Sequence, residues 1–116
     1  MNNLPFPTGE FTYTTGEYSP VVEICLQDQM TISLNGEVIV VSKYQVTGDV
    51  IEVEDVSGSY AGPEYGVGRY RWQYDGECIN FELIEDNFPP RLKAFVAPWH
   101  RVDSPSMPYF FEGNQP

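Results

Sequence analysis

Seven aromatic side chains fall on positions that suit one face of a sheet. Tyr70, Trp72 and Tyr74 alternate along a single run, Gly68-Arg-Tyr-Arg-Trp-Gln-Tyr74. Tyr44, Phe81, Phe95 and Trp99 lie on neighbouring candidate strands. Strand side chains alternate between faces, so Arg69, Arg71 and Gln73 take the other side. An aromatic wall with a few phenol hydroxyls suits a flat or polycyclic organic molecule. The same rings would equally fill a solid core. Tyr60 and Tyr65, in a glycine-rich loop, are placed to form a lid.

Groups able to move protons are few. His100 is the only histidine, and it suits a general base or a metal ligand. Glu23 stands on an otherwise apolar strand, where an inward carboxyl would titrate high and serve as acid or base. Tyr70 is the third catalytic candidate, as a proton shuttle within the aromatic face. No His/Cys cluster has metal-ligand spacing, so no metal site and no cofactor is expected. No Gly-x-Ser-x-Gly and no phosphate loop is present. Asp86 and Arg91 flank a loop and read as an ion pair that holds it. Arg101, after Trp99, reads as a cover for one end of the fold, its guanidinium stacked on an indole.

The elements that must position these groups are strands. Asn35-Gly36, Gly48-Asp49 and Asp75-Gly76 tolerate the positive φ of tight hairpins. Residues 29–56 therefore read as a three-strand meander and 67–84 as another hairpin. Two-residue turns set Leu34 opposite Glu37, Ile32 opposite Ile39, and Met30 opposite Val41. They also pair Thr47 with Val50, Val46 with Ile51, Tyr44 with Val53, and Lys43 with Glu54. Across Asp75-Gly76, Trp72 meets Ile79, Tyr70 meets Phe81, and Arg69 meets Glu82. The apolar parity changes along 37–47, which calls for a β-bulge near Ser42. Earlier strands are expected over 11–15 and 21–26, and a last one over 91–102, interrupted by Pro98. Nothing shows a capped 3.6-residue period, so almost no helix is expected.

These features predict an all-β chain: a single antiparallel, mostly up-and-down β-barrel of about eight strands. Residues 1–116 form one domain, with 1–9 and 103–116 as extended terminal segments. The 41% hydrophobic and 15% aromatic content is that of a globular chain.

Net charge is −11. Residues 1–60 hold nine acids and only Lys43, while 61–116 hold eight acids and the other five bases. Phosphate binding needs clustered Lys and Arg, so the charge argues strongly against nucleic acid and disfavours anionic membrane surfaces, and neither is expected as a partner. No apolar run is long enough to span a bilayer as a helix. The N-terminus shows no basic segment followed by an apolar one, so cytoplasm is the expected compartment. Cys25 and Cys78 are read as buried free thiols in such a compartment.

From Tyr44 to Val102 the chain reads Tyr44-x-Val46-x-Gly48-Asp49-x-Ile51, Gly58-x-Tyr60, Gly68-x-Tyr70-x-Trp72 and Asp75-Gly76-x-x-Ile79-x-Phe81. It continues with Glu85-Asp86, Arg91 and Pro98-Trp99-x-Arg101. This resembles small bacterial lipocalin-like (calycin-type) domains over about half the chain. The resemblance implies a barrel with a binding interior. The loops at 57–66 and 85–91 hold no cysteine, so the loop-to-loop disulfide of such domains has no counterpart here.

Three functions follow as expectations. The first is binding of a small hydrophobic or aromatic molecule by Tyr44, Tyr70, Trp72, Phe81, Phe95 and Trp99. The second is a cofactorless enzyme in the same cavity, a cyclase, isomerase or dehydratase. The third is an acidic protein-binding or inhibitor module facing a basic partner. None of these readings sets an oligomeric state.

Overall fold

Eight antiparallel strands close on themselves. The structure, a computed structural model, describes residues 4–14 and 21–102. Its strands are β1 (Gly9–Tyr13), β2 (Val22–Leu26), β3 (Met30–Leu34), β4 (Glu37–Thr47), β5 (Val50–Ser57), β6 (Val67–Tyr74), β7 (Cys78–Glu85) and β8 (Trp99–Arg101). Each pairs with the next, and β8 pairs back onto β1. The all-β, up-and-down barrel expected from the turns is the observed fold, and it is consistent with a lipocalin-like barrel. The first strand starts at Gly9, inside the segment read as a terminal extension. Thr15, placed in that strand by the sequence, and the tail 103–116 lie outside the described residues.

The β4–β5 hairpin has the expected register, including Tyr44 opposite Val53 and Lys43 opposite Glu54. Two other registers differ. Ile32 faces Val40 and Met30 faces Ser42, because the pairing shifts beyond Ile32 and leaves Ile39 as the extra residue. A second shift falls between Val41 and Ser42, with the extra residue, Val56, on β5. The sequence called for one bulge near Ser42. The β3–β4–β5 meander has two, and Val40 and Ser42 lie inside. In the β6–β7 hairpin, Tyr74 faces Ile79, Trp72 faces Phe81 and Tyr70 faces Leu83. Asp75 widens this turn: its Oδ1 accepts from the Glu77 and Cys78 N–H groups. The register moves by two residues, which preserves which side chains face inward. A further shift between Arg69 and Tyr70 leaves Ile84 as the extra residue and sets Arg69 opposite Glu85. Arg69 therefore pairs with Glu85 and, across β5, with Glu52, while Glu82 pairs with Arg71.

The larger correction concerns residues 89–96. They form a helix, α1 (Pro89–Val96), where a strand was expected, and β8 is confined to three residues. Prolines at its start suit a helix, since their missing N–H groups have no intrahelical partner there anyway. Pro98 ends it. Arg91, Ala94 and Phe95 are its buried face, the i, i+3, i+4 spacing of one helical stripe. No side chain caps it, and a charged residue interrupts its apolar stripe. Both features hide it from a sequence pattern.

Helix α1 lies across the barrel end that receives the 58–66 loop. Phe95 enters the bore and stacks on Tyr70, with ring centroids 4.4 Å apart. It also meets Phe81 at 4.6 Å and Trp99 at 4.9 Å. Trp99 Nε1 donates to the Ala94 carbonyl at 2.9 Å, tying α1 to β8. At the opposite end Phe6 packs edge-on against Trp72 at 5.0 Å. The middle of the barrel is thus filled with rings. Among the described residues, no helix is long and apolar enough to cross a membrane.

Candidate functional site

The inward row of β5 runs Ile51, Val53, Asp55. Alternation therefore delivers a carboxylate to the interior at the end covered by α1. Asp55 Oδ1 accepts from Ser42 Oγ on β4 at 2.9 Å, and Oδ2 accepts from the Gly62 N–H at 2.9 Å. Arg91 reaches the same place from α1, with Nη1 3.4 Å from Asp55 Oδ1. Its stronger partner is Asp86, bound by Nε and by Nη2 at 2.7 Å each. Nη2 also donates to the Gly66 carbonyl. The Tyr70 hydroxyl donates to Asp86 Oδ2 at 2.5 Å. The side chains of Asp55, Arg91 and Asp86 are 4%, 4% and 0% exposed.

Each charge in this cluster is held by bonds, as burial demands. Burial pushes the Asp86 carboxyl upward, but the bonds from Arg91, Tyr70 and the Phe88 N–H outweigh it and hold it below its ordinary range. Burial, reinforced by the bond to Asp86, raises the Tyr70 phenol far above its ordinary value. The expected Asp86–Arg91 pair is present. It joins the 86–88 loop, α1 and the 58–66 loop into one cover. Two glycines permit the close approach. Gly58 has φ +125°, and a Cβ there would sit 2.2 Å from the Ile39 carbonyl oxygen. A Cβ on Gly68 would sit 2.3 Å from Asp86 Oδ2.

Beside the cluster the packing leaves a cavity of about 110 Å³. Its apolar wall is Met30 and Ile32 of β3, Ile39 and Val40 of β4, and Val53 of β5. Tyr13 of β1 closes one side, and Phe88, Pro90, Ala94 and Phe95 form the roof. Ser42, Asp55 and Arg91 are the polar side chains deep in the wall. Tyr60, itself exposed, stands at the mouth.

The residues singled out from sequence are distributed differently. Phe95 and Tyr60 line the cavity. Tyr65 stacks on Phe88, a roof residue, at 4.7 Å. Tyr70, Phe81 and Trp99 pack around Phe95 in the filled part of the bore. Tyr44 and Trp72 lie toward the other end, both in contact with Phe6, and the Tyr44 hydroxyl donates to the Gln27 carbonyl. Glu23 is exposed on the outer face of β2, so the inward acid is Asp55 instead. Val53 and Ile51 flank Asp55 at strand spacing, and that alternation is the signal that would have found it.

His100 is exposed on β8, with Nδ1 3.1 Å from Cys78 Sγ. Burial first, then Asp75 and Glu77, raise the Cys78 thiol. A raised thiol works against activation of Cys78 as a nucleophile. Arg101 stacks over Phe11 at 5.4 Å, not over an indole, and donates to the Tyr74 hydroxyl. Both cysteines are free and half-buried. β1 and β8 separate their strands, a gap of roughly 14 Å at ordinary strand spacing, beyond the reach of a disulfide. No group of three or more metal-ligating side chains occurs among the described residues. Set against protein-family models, curated proteins and solved structures, the chain matches none of them.

Proposed function

We propose that this protein binds one small, largely apolar molecule in the cavity beneath α1. The observation that carries this reading is a cavity of about 110 Å³ left open beside Met30, Ile32, Val40 and Val53, in a barrel otherwise packed with rings. A void of this kind forfeits contacts on its walls, and an occupant restores them. Apolar cavities of roughly 150 Å³ take up benzene. The occupant here is therefore of benzene size or less, smaller than the polycyclic ligand an open aromatic bore would suit. The resemblance of residues 44–102 to lipocalin-like, calycin-type domains agrees with interior binding.

A cofactorless enzyme in the same cavity has less support. The Ser42 hydroxyl and the Asp55 carboxylate are engaged with each other, and Tyr70 is engaged with Asp86.

Titration of isotope-labelled protein with benzene and with isobutanol, followed by amide NMR, tests the reading. Saturable shifts are expected at Val40, Val53 and Ala94. Replacing Ala94→Leu fills the cavity with a good helix former and abolishes those shifts while the spectrum stays folded. Absence of saturable shifts in the wild-type protein with either probe overturns the reading.

A further inference from the structure

The polar wall of the cavity is not electrically balanced. Asp55, Asp86 and Arg91 bring two negative charges and one positive into a region closed to solvent. Arg91 is neutralised by Asp86: Nε and Nη2 form a two-point bond to that carboxylate, and Nη2 also serves the Gly66 carbonyl. Such a fork-on-fork pair is complete in itself. What reaches Asp55 from Arg91 is one long contact of 3.4 Å from Nη1. The other donors to Asp55 are neutral, a serine hydroxyl and a backbone N–H. Asp55 and Arg91 both line the cavity and Asp86 does not, but the Arg91 charge is already taken up by Asp86. The unbalanced negative charge therefore faces the open space.

A carboxylate oxygen has lone pairs for more than one donor, so Asp55 retains capacity. Charge interactions strengthen away from water. Aromatic side chains of Tyr13, Tyr60, Phe88 and Phe95 surround the same space, and ring faces attract cations. Resting on the cavity reading above, we infer that the preferred occupant is a small protonated amine with a short apolar body. Its ammonium group sits against Asp55 and its carbon skeleton lies against Val40, Val53 and Ala94. The acidic surface, at net −11, raises the local concentration of such cations.

The test compares isobutylamine, isobutanol and isobutyrate, which share one skeleton and differ in charge, at pH 7 on the wild-type protein by amide NMR. The expected order is amine, then alcohol, then carboxylate, with the amine at least ten-fold tighter than the alcohol. The Asp55→Asn variant should lose most of that ten-fold preference of amine over alcohol. Alcohol binding as tightly as amine overturns the amine inference and leaves the apolar cavity standing. Tightest binding of isobutyrate overturns it in favour of Arg91 as the anchor. Binding of none of the three, nor of benzene, removes the cavity reading itself. Should Asp55→Asn fail to fold, the order on the wild-type protein still decides the charge of the occupant.

Discussion

Asp86 is the residue on which the cover of the barrel depends. It receives Arg91, Tyr70 and the Phe88 N–H together. Asp86→Asn leaves a buried guanidinium without its neutralising partner, a loss expected to cost about 3–5 kcal/mol in chemical denaturation. The pH dependence follows from the direction of the shift. The Asp86 carboxyl titrates lower in the fold than its ordinary 3.8. Its contribution is thus present above that value and lost as pH falls through the folded value. Wild-type stability should drop below about pH 4, and the Asp86→Asn protein should show a flatter acid limb. At the alkaline side the sign reverses. Tyr70 titrates above its ordinary 10.0 in the fold, so its contribution is present below pH 10 and lost above it. Phenolate absorbance and circular dichroism should change together there, and Tyr70→Phe should make that limb shallower.

Among the elements, α1 does most to decide what the barrel can hold. It inserts Phe95 between Tyr70, Phe81 and Trp99, and presents Arg91 to the acids at the rim. Truncation by Phe95→Ala should cost about 3–5 kcal/mol, as for other buried aromatic residues. It should also join the cavity to the space vacated by the ring. Benzene affinity should rise in this variant, measured by the same NMR titration. The β4–β5–β6–β7 outer surface is a different kind of element. Lys43–Glu54 and Arg69–Glu52 are cross-strand pairs and Arg71–Asp49 ties β6 to the β4–β5 turn, all of them substantially exposed. Pairs of that exposure contribute little individually, so they specify register more than they stabilise it.

For the molecule as a whole, net charge sets the response to salt. A chain at −11 repels itself when compact. Raising sodium chloride from about 10 to about 150 mM shortens the screening length from roughly 30 to 8 Å. The melting temperature should rise by about 2–5 °C over that interval. A fall would mean that the exposed cross-strand pairs outweigh the general repulsion.

Much of the architecture was legible in local chemistry. Asn35-Gly36 and Gly48-Asp49 specify their turns by conformational preference alone, and the pairings beside Gly48-Asp49 came out residue for residue. Alternation placed Tyr70, Trp72 and Tyr74 inside whichever register β7 adopted, because a shift of two residues keeps the face. The pairing of Asp86 with Arg91 was equally visible, five residues apart across a loop. The bulge at Ile39 depends on how β3 meets β4, and the Asp75 side chain altered its own turn. Helix α1 formed against its weak local pattern because the barrel offered Phe95 a bed of rings and Arg91 two carboxylates. Most of all, whether an aromatic face encloses space or consumes it is a question of three-dimensional volume. Side chains remote in sequence compete for that volume, and only their packing left the open space beside Asp55.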